Sequence, residues 1–131
     1  MLLSLAGLAE KDGRYFMALR KPGTTIGESW EFPGGKSEED ESPEETLVRE
    51  YLEELNVKIN VLDKVFESSF NNDSKKFKLH VYQIQFTEEI KDMPEHQKAG
   101  WFTPQEMIKL KMADSDRKIA GFLLKKTQEP I

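Results

Sequence analysis

Three glutamates, Glu50, Glu53 and Glu54, stand at helical spacing in a segment patterned as an amphipathic helix. At about 100° per residue they share one arc. Leu47, Val48, Tyr51, Leu52 and Leu55 share another, with Glu54 at the border between the two. Carboxylates crowded on one face repel one another unless cations lie between them. A hard divalent ion such as Mg²⁺ suits this all-oxygen environment and commonly bridges carboxylates to substrate phosphates. The pair Gly34-Gly35 precedes the helix and lets backbone atoms approach a ligand without obstruction by side chains. In a chain with 24 acidic residues, a glutamate-rich face is also what a solvated helix surface looks like. The spacing of the residues around the glutamates decides between these readings.

Gly35, Glu41, Arg49-Glu50, Glu53-Glu54 and Asn56-Val57 stand in one fixed register. This run resembles the box of the Nudix hydrolases: Gly, five residues, Glu, seven residues, Arg-Glu, an aliphatic, any residue, Glu-Glu, any residue, Gly and an aliphatic. At residue frequencies of roughly 5–7%, six fixed matches arise by chance on the order of once in ten million windows. Two positions depart. Tyr51 stands where an aliphatic is usual, and it can still pack into the core. Asn56 replaces the closing glycine, and asparagine is the next best residue for a positive φ. The resemblance implies a Nudix-type α/β/α sandwich with a mixed central β-sheet, an α/β (α+β) fold filling residues 1–131 as one domain. It implies metal ligation by Glu50, Glu53, Glu54 and the Gly35 carbonyl, with Mg²⁺ as cofactor and Mn²⁺ as its alternative. Glu41 would support the site from the loop, and Arg49 would orient the carboxylates through ion pairs. The implied reaction is in-line attack of water on phosphorus, with metal ions stabilising the attacking and leaving oxygens.

Residues outside the box resemble the MutT branch of that family, whose members hydrolyse oxidised guanine nucleotides or CTP and related nucleotides. The run Trp30-Glu31-Phe32-Pro33-Gly34-Gly35-Lys36 resembles the branch's approach to the box, which brings Phe32 and Lys36 in as substrate-binding residues. Arg20 stands where the branch places a phosphate-contacting arginine, and it also reads as an ordinary strand-end cation. Glu95 matches a position that is a further metal ligand or the general base in the branch, leaving Glu53 as the other candidate base. His96 beside it reads as a loop residue, and Trp30 and Trp101 read as packing residues. Asp114 falls in the segment that reads the base edge in relatives, and it equally suits a helix N-cap. The expected reaction is therefore conversion of a nucleoside triphosphate to monophosphate and pyrophosphate. Hydrolysis of ADP-ribose or a dinucleoside polyphosphate, or a Nudix-fold nucleotide-binding module without catalysis, are the alternatives.

A helix must hold the glutamates, and its signals are explicit. Ser42 suits the N-cap, Pro43 the first helical position and Glu45 the reciprocal partner of a capping box, with an end near Leu55 and Asn56 in the left-handed conformation. Segments 2–9 and 14–19 read as a hairpin around Lys11-Asp12-Gly13, followed by a loop from Lys21 to Glu28. Strands are expected at 57–70 and 77–86, joined by Asn71–Ser74, and at 100–102. A short helix is expected from Pro104 and a last one over 114–126. The 131 residues allow one domain with a real core. The apolar run Leu2–Ala9 lacks preceding basic residues and is too short to span a bilayer, so neither a targeting peptide nor a membrane anchor is expected. Cysteine is absent, which excludes thiolate metal sites and agrees with a cytoplasmic location. A net charge of −5 without any dense basic stretch argues against a nucleic-acid polymer as partner and leaves a nucleotide as the expected one. Nothing in the pattern distinguishes a monomer from a homodimer.

Overall fold

In the computed structural model, which describes residues 2–23 and 28–128, β1 (Leu2–Lys11) and β2 (Arg14–Arg20) form an antiparallel hairpin. Its turn holds Asp12 at φ 52° and Gly13 at φ 78°, the left-handed pair that a two-residue hairpin turn needs. Of the expected loop 21–28, residues 24–27 lie outside the described residues. The run Trp30–Lys36 divides into β3 (Trp30–Glu31), paired with β2, and β4 (Gly34–Lys36), paired with β1.

Helix α1 (Pro43–Leu55) has the expected ends. The Ser42 hydroxyl accepts the Glu45 N–H at 3.1 Å, and the Glu45 carboxylate accepts the Ser42 N–H at 2.9 Å. Asn56 closes the helix at φ 47° and donates its N–H to the Leu52 carbonyl. β5 (Ile59–Asn72) and β6 (Lys75–Phe86) form a long hairpin, tighter than expected, with only Asp73 and Ser74 in the left-handed turn. β7 (His96–Phe102) starts at His96 rather than at Gly100 and pairs with β2. It leads into α2 (Pro104–Met107), capped by Thr103 and Glu106, and then α3 (Asp114–Gln128).

The sheet runs β3-β2-β1-β6-β5, with β4 added on β1 and β7 on β2. β1 and β6 are parallel and the other pairs antiparallel, so the sheet is mixed. Strand alternation gives it two apolar faces. Leu5, Ala9, Phe16, Ala18 and Ile84 pack with Leu47, Tyr51 and Leu55 of α1. Ala6, Leu8, Tyr15, Met17, Leu79 and Val81 pack with Ile119, Ala120 and Leu123 of α3. The result is the expected α/β/α sandwich. Tyr51 occupies the usual aliphatic position without strain because it passes over Gly7: its hydroxyl donates to the Gly7 carbonyl at 3.2 Å, and a side chain on Gly7 would lie 2.5 Å from that oxygen.

One expectation about α1 needs correction. Val48 and Leu52 are 38% and 48% exposed, whereas Thr46 and Glu54 are buried. The helix is rotated so that its buried arc includes one of the glutamates. Among the described residues, no helix is long and apolar enough to cross a membrane.

Candidate active site

Arg49 is the hub on the outer side of α1. Its Nε and Nη2 clasp Glu41 at 2.6 and 2.9 Å, its Nη1 reaches Glu50 at 2.8 Å and Glu53 at 3.3 Å, and Nη2 donates to the Lys36 carbonyl. Glu41 also accepts the Glu38 N–H and the Thr46 hydroxyl. The Arg49 guanidinium foremost, then the Glu38 N–H, holds the Glu41 carboxyl down at about 2, so it stays ionised throughout the working range. One guanidinium thus ties the loop, β4 and two helix glutamates together. The glycine at 35 lets Glu50 pack against the backbone: a side-chain carbon there would lie 2.6 Å from Glu50 Oε2 and push that carboxylate from its place on Arg49.

Glu54 faces the other way, into the protein. It is 3% exposed, and its Oε2 has no hydrogen-bond partner among the described residues. Burial, then the nearby carboxylates of Glu31, Glu50 and Glu95, pushes its carboxyl up to about 9. Burial likewise raises Glu50. Glu31 has no role in the sequence pattern, and His96 reads there as a loop residue. Here Glu31, Glu54 and His96 each offer a ligand atom within 4.8 Å of the others. His96 lies in β7, fully buried, 2.7 Å from Glu31 Oε2, while Arg20 Nη1 lies 3.1 Å from Glu31 Oε1.

Beyond Glu31 opens a cleft of about 220 Å³ whose walls include Arg20, Glu31, Phe32, Gly35, Lys36 and Asp116. Asp116 is buried and accepts the Phe32 N–H at 3.1 Å. Burial, then the Glu31 charge, raises its carboxyl to about 8. Asp114 is exposed at the start of α3 and lines a different surface depression, with Lys76 and Arg117. The N-cap is Ala113 rather than Asp114, since the Ala113 carbonyl accepts the first helical bond, from Arg117. The buried carboxyl at the cleft therefore lies two residues beyond Asp114. Helical phase carried the signal: Asp116 precedes Ile119, Ala120 and Leu123 on the buried face. Lys36 is exposed, with its ammonium 4.9 Å from the Phe77 ring. Glu95 is exposed, one residue before His96, near enough for its charge to act on Glu50 and Glu54. Trp30 and Trp101 pack edge-on against Phe102 and Phe16, as expected of packing residues.

The arrangement fits divalent cations. A buried carboxyl with an oxygen unpaired among the described residues, a second half-buried carboxyl and an exposed third all lie on one helix, the second of them against a glycine whose missing side chain leaves it room. A pH dependence follows. Glu54 and Asp116 hold protons in the native state at pH values where the unfolded chain has released them. The unfolded state thus binds fewer protons, and stability falls as pH rises from about 5 through about 9. Melting temperatures in EDTA should drop over that range. A bound divalent ion requires ionised Glu54, so the stabilisation it adds should grow with pH. A metal-free melting temperature that stays level or rises from pH 6 to about 9 would contradict these assignments.

Comparison with known proteins gives a consistent outcome. The NUDIX domain model matches residues 4–121. The CTP pyrophosphohydrolase of Escherichia coli K12 is 31% identical over 116 residues, covering 88% of this chain and 86% of that protein. The 8-oxo-dGTP diphosphatase of Proteus vulgaris is 40% identical over 52 residues, covering 40% of this chain and 46% of that one. The solution structure of the Escherichia coli ORF135 protein superposes with a TM-score of 0.84 at 29% identity, covering 99% of this chain and 94% of its own. The crystal structure of a MutT protein from Methanosarcina mazei does so at 0.81 and 20% identity, covering 98% and 96%.

Proposed function

The chain belongs to the Nudix family and is a hydrolase of phosphoanhydride bonds, and from that premise we propose that it is a Mg²⁺-dependent nucleoside triphosphate pyrophosphohydrolase with cytosine as its preferred base. The observation that carries this reading is the juxtaposition of two acidic groups of different kind. Helix α1 carries Glu50 against Gly35, Glu54 buried beside Gly34 and Glu53 exposed, and the buried Asp116 carboxyl lies with Glu31 in the cleft that Gly34 and Gly35 also line. A triphosphate and its base need those two environments side by side. The name of the Escherichia coli relative, matched over most of both chains, favours CTP. The shorter match to an 8-oxo-dGTP diphosphatase favours an oxidised guanine nucleotide as the second reading.

Glu50, Glu53, Glu54, the Gly35 carbonyl and Glu95 would hold the metal ions, with Mn²⁺ as a substitute. When bound, such ions supply charge stabilisation at the phosphoryl oxygens and lower the pKa of water. The protein's own part is positioning. Arg49, anchored by Glu41, fixes Glu50 and Glu53, and Arg20 offers a cation at the cleft for a phosphate. Phe32 and Lys36 form part of the substrate wall. Glu95 or Glu53 would take the proton of the attacking water, a role their exposure supports. Glu54 is too enclosed for that task and serves as a ligand. A single domain over residues 1–131, working in the cytoplasm on a free nucleotide, completes the reading.

The test is a substrate panel with Mg²⁺: the ribo- and deoxyribonucleoside triphosphates, 8-oxo-dGTP, ADP-ribose and a dinucleoside tetraphosphate, scoring pyrophosphate against phosphate. Release of pyrophosphate, fastest from CTP or dCTP, abolished by EDTA and restored by Mg²⁺, is the expected result. Cleavage of ADP-ribose with triphosphates untouched would overturn the substrate while leaving the family in place.

A further inference from the structure

His96 stands outside every role assigned above, yet the fold goes out of its way to bury it. β2 and β7 pair regularly up to Leu19 opposite Lys98, and then the register shifts so that Arg20 faces His96. Gln97 is the extra residue of this bulge, and its amide donates to the Arg20 carbonyl at 3.0 Å and to Glu28 at 3.1 Å. A bulge redirects the side chains on either side of it. Here the outcome is a buried imidazole against the Glu31 carboxylate, with the Arg20 guanidinium on the same carboxylate.

The free ring nitrogen indicates what the imidazole does. His96 Nδ1 is buried and has no partner among the described residues. A ring N–H there would be an orphaned buried donor, which folded proteins avoid, whereas a bare acceptor is better tolerated. The proton therefore sits on Nε2 and is donated to Glu31 Oε2. With Nε2–H given to Glu31, a metal ion could approach only Nδ1, which is buried with no other ligand atom at hydrogen-bond distance among the described residues. The Glu31–Glu54–His96 grouping is better explained by an anchored carboxylate than by a further metal site.

We propose that His96 is a positioning residue whose imidazole, with the Arg20 guanidinium, locks both oxygens of Glu31 and presents that carboxylate to the nucleotide in one orientation. Glu31 lines the cleft with Asp116, and its carboxylate keeps acceptor capacity beyond what the two donors take. An acceptor held by two donors is preorganised, and ordering it on binding costs nothing further. This rests on the nucleotide reading above but not on which base is preferred.

The experiment is a cycle among His96→Leu, Glu31→Gln and the double variant, with His96→Gln as the conservative replacement that keeps a side-chain N–H. The nucleotide cleaved best in the panel is the probe for KM and kcat. Calorimetric Kd values for the nucleoside monophosphates in EDTA read the same cycle without turnover. His96→Leu should raise KM, or Kd for the preferred monophosphate, by about tenfold with kcat within about twofold. His96→Gln should recover most of that loss. On the Glu31→Gln background, His96→Leu should add less than about twofold. Full additivity, failure of His96→Gln to recover binding, or a lower melting temperature with unchanged KM and Kd would overturn the proposal. If the best substrate is not a triphosphate, the functional reading fails, and the cycle on that substrate still decides the role of His96.

Discussion

Replacing Glu54 with glutamine should lower kcat by roughly three to five orders of magnitude, a loss of about 4–7 kcal/mol of transition-state stabilisation, while making the metal-free protein more stable. The opposite signs follow from one residue's surroundings. Glu54 is 3% exposed with one oxygen unpaired among the described residues, and burial pushes its carboxyl up to about 9. Without metal at pH 8 it is protonated and neutral, so glutamine replaces it at equal size and removes the linkage penalty altogether. With metal the requirement reverses, because a hard cation needs the ionised oxygen and an amide is a poor substitute. Melting curves in EDTA should therefore place Glu54→Gln above wild type at pH 8, and curves in Mg²⁺ should place it below. Glu53, more than half exposed on the outer side of the helix, should show the loss of turnover without the gain in stability. Glu95→Gln should lower kcat with little change in melting temperature. Near wild-type turnover of Glu54→Gln in Mg²⁺ would sink the assignment of the helix as the metal-holding element.

Local signals make α1 legible in the sequence alone. The cap at Ser42, the capping box with Glu45 and the left-handed exit at Asn56 depend only on neighbours within a turn or so, and all three are found. The two hairpins and the strand-to-helix step at Thr103-Pro104 were legible for the same reason. The residues that escaped are those placed by distant pairing. Glu31 enters the site because β3 pairs with β2, and His96 because a bulge in the β2–β7 pairing turns it inward. Neither event has a marker in the surrounding sequence, although Gln97 pins the bulge. The burial of Glu54 escaped for a related reason. Helical periodicity assigns arcs but not their absolute rotation, and packing on the sheet sacrificed Val48 and Leu52 to solvent so that Glu54 could be enclosed. Asp116 was within reach of periodicity, since it shares the buried face of α3 with Ile119 and Leu123.

Selectivity among bases should follow Asp116 and ignore Asp114. Asp116→Ala should raise KM for the preferred nucleotide and compress the ranking of bases by about a hundredfold, because a site built to hydrogen-bond a substrate group discriminates strongly against bases that lack it. Asp114→Ala should leave the ranking within about twofold, since Asp114 is exposed and outside the cleft. Asp116→Ala also leaves the Phe32 N–H without its acceptor, at a cost of about 1–3 kcal/mol in stability, so Asp116→Asn is the necessary partner experiment. Its carbonyl oxygen still accepts that N–H, and its amide is neutral. At neutral pH the Asp116 carboxyl, raised to about 8 by burial and by Glu31, is neutral as well. A protonated carboxyl both donates and accepts, which matches the ring nitrogen and exocyclic amino group of cytosine, and an amide offers the same pair of functions. Asp116→Asn should therefore keep the wild-type ranking where alanine loses it. The two should part with pH. Above about pH 8 the wild-type carboxyl ionises and loses its donor, so the preference should weaken, while the asparagine variant, which cannot ionise, should hold its ranking to higher pH. A ranking unchanged in Asp116→Ala would show that the base is read elsewhere in the cleft.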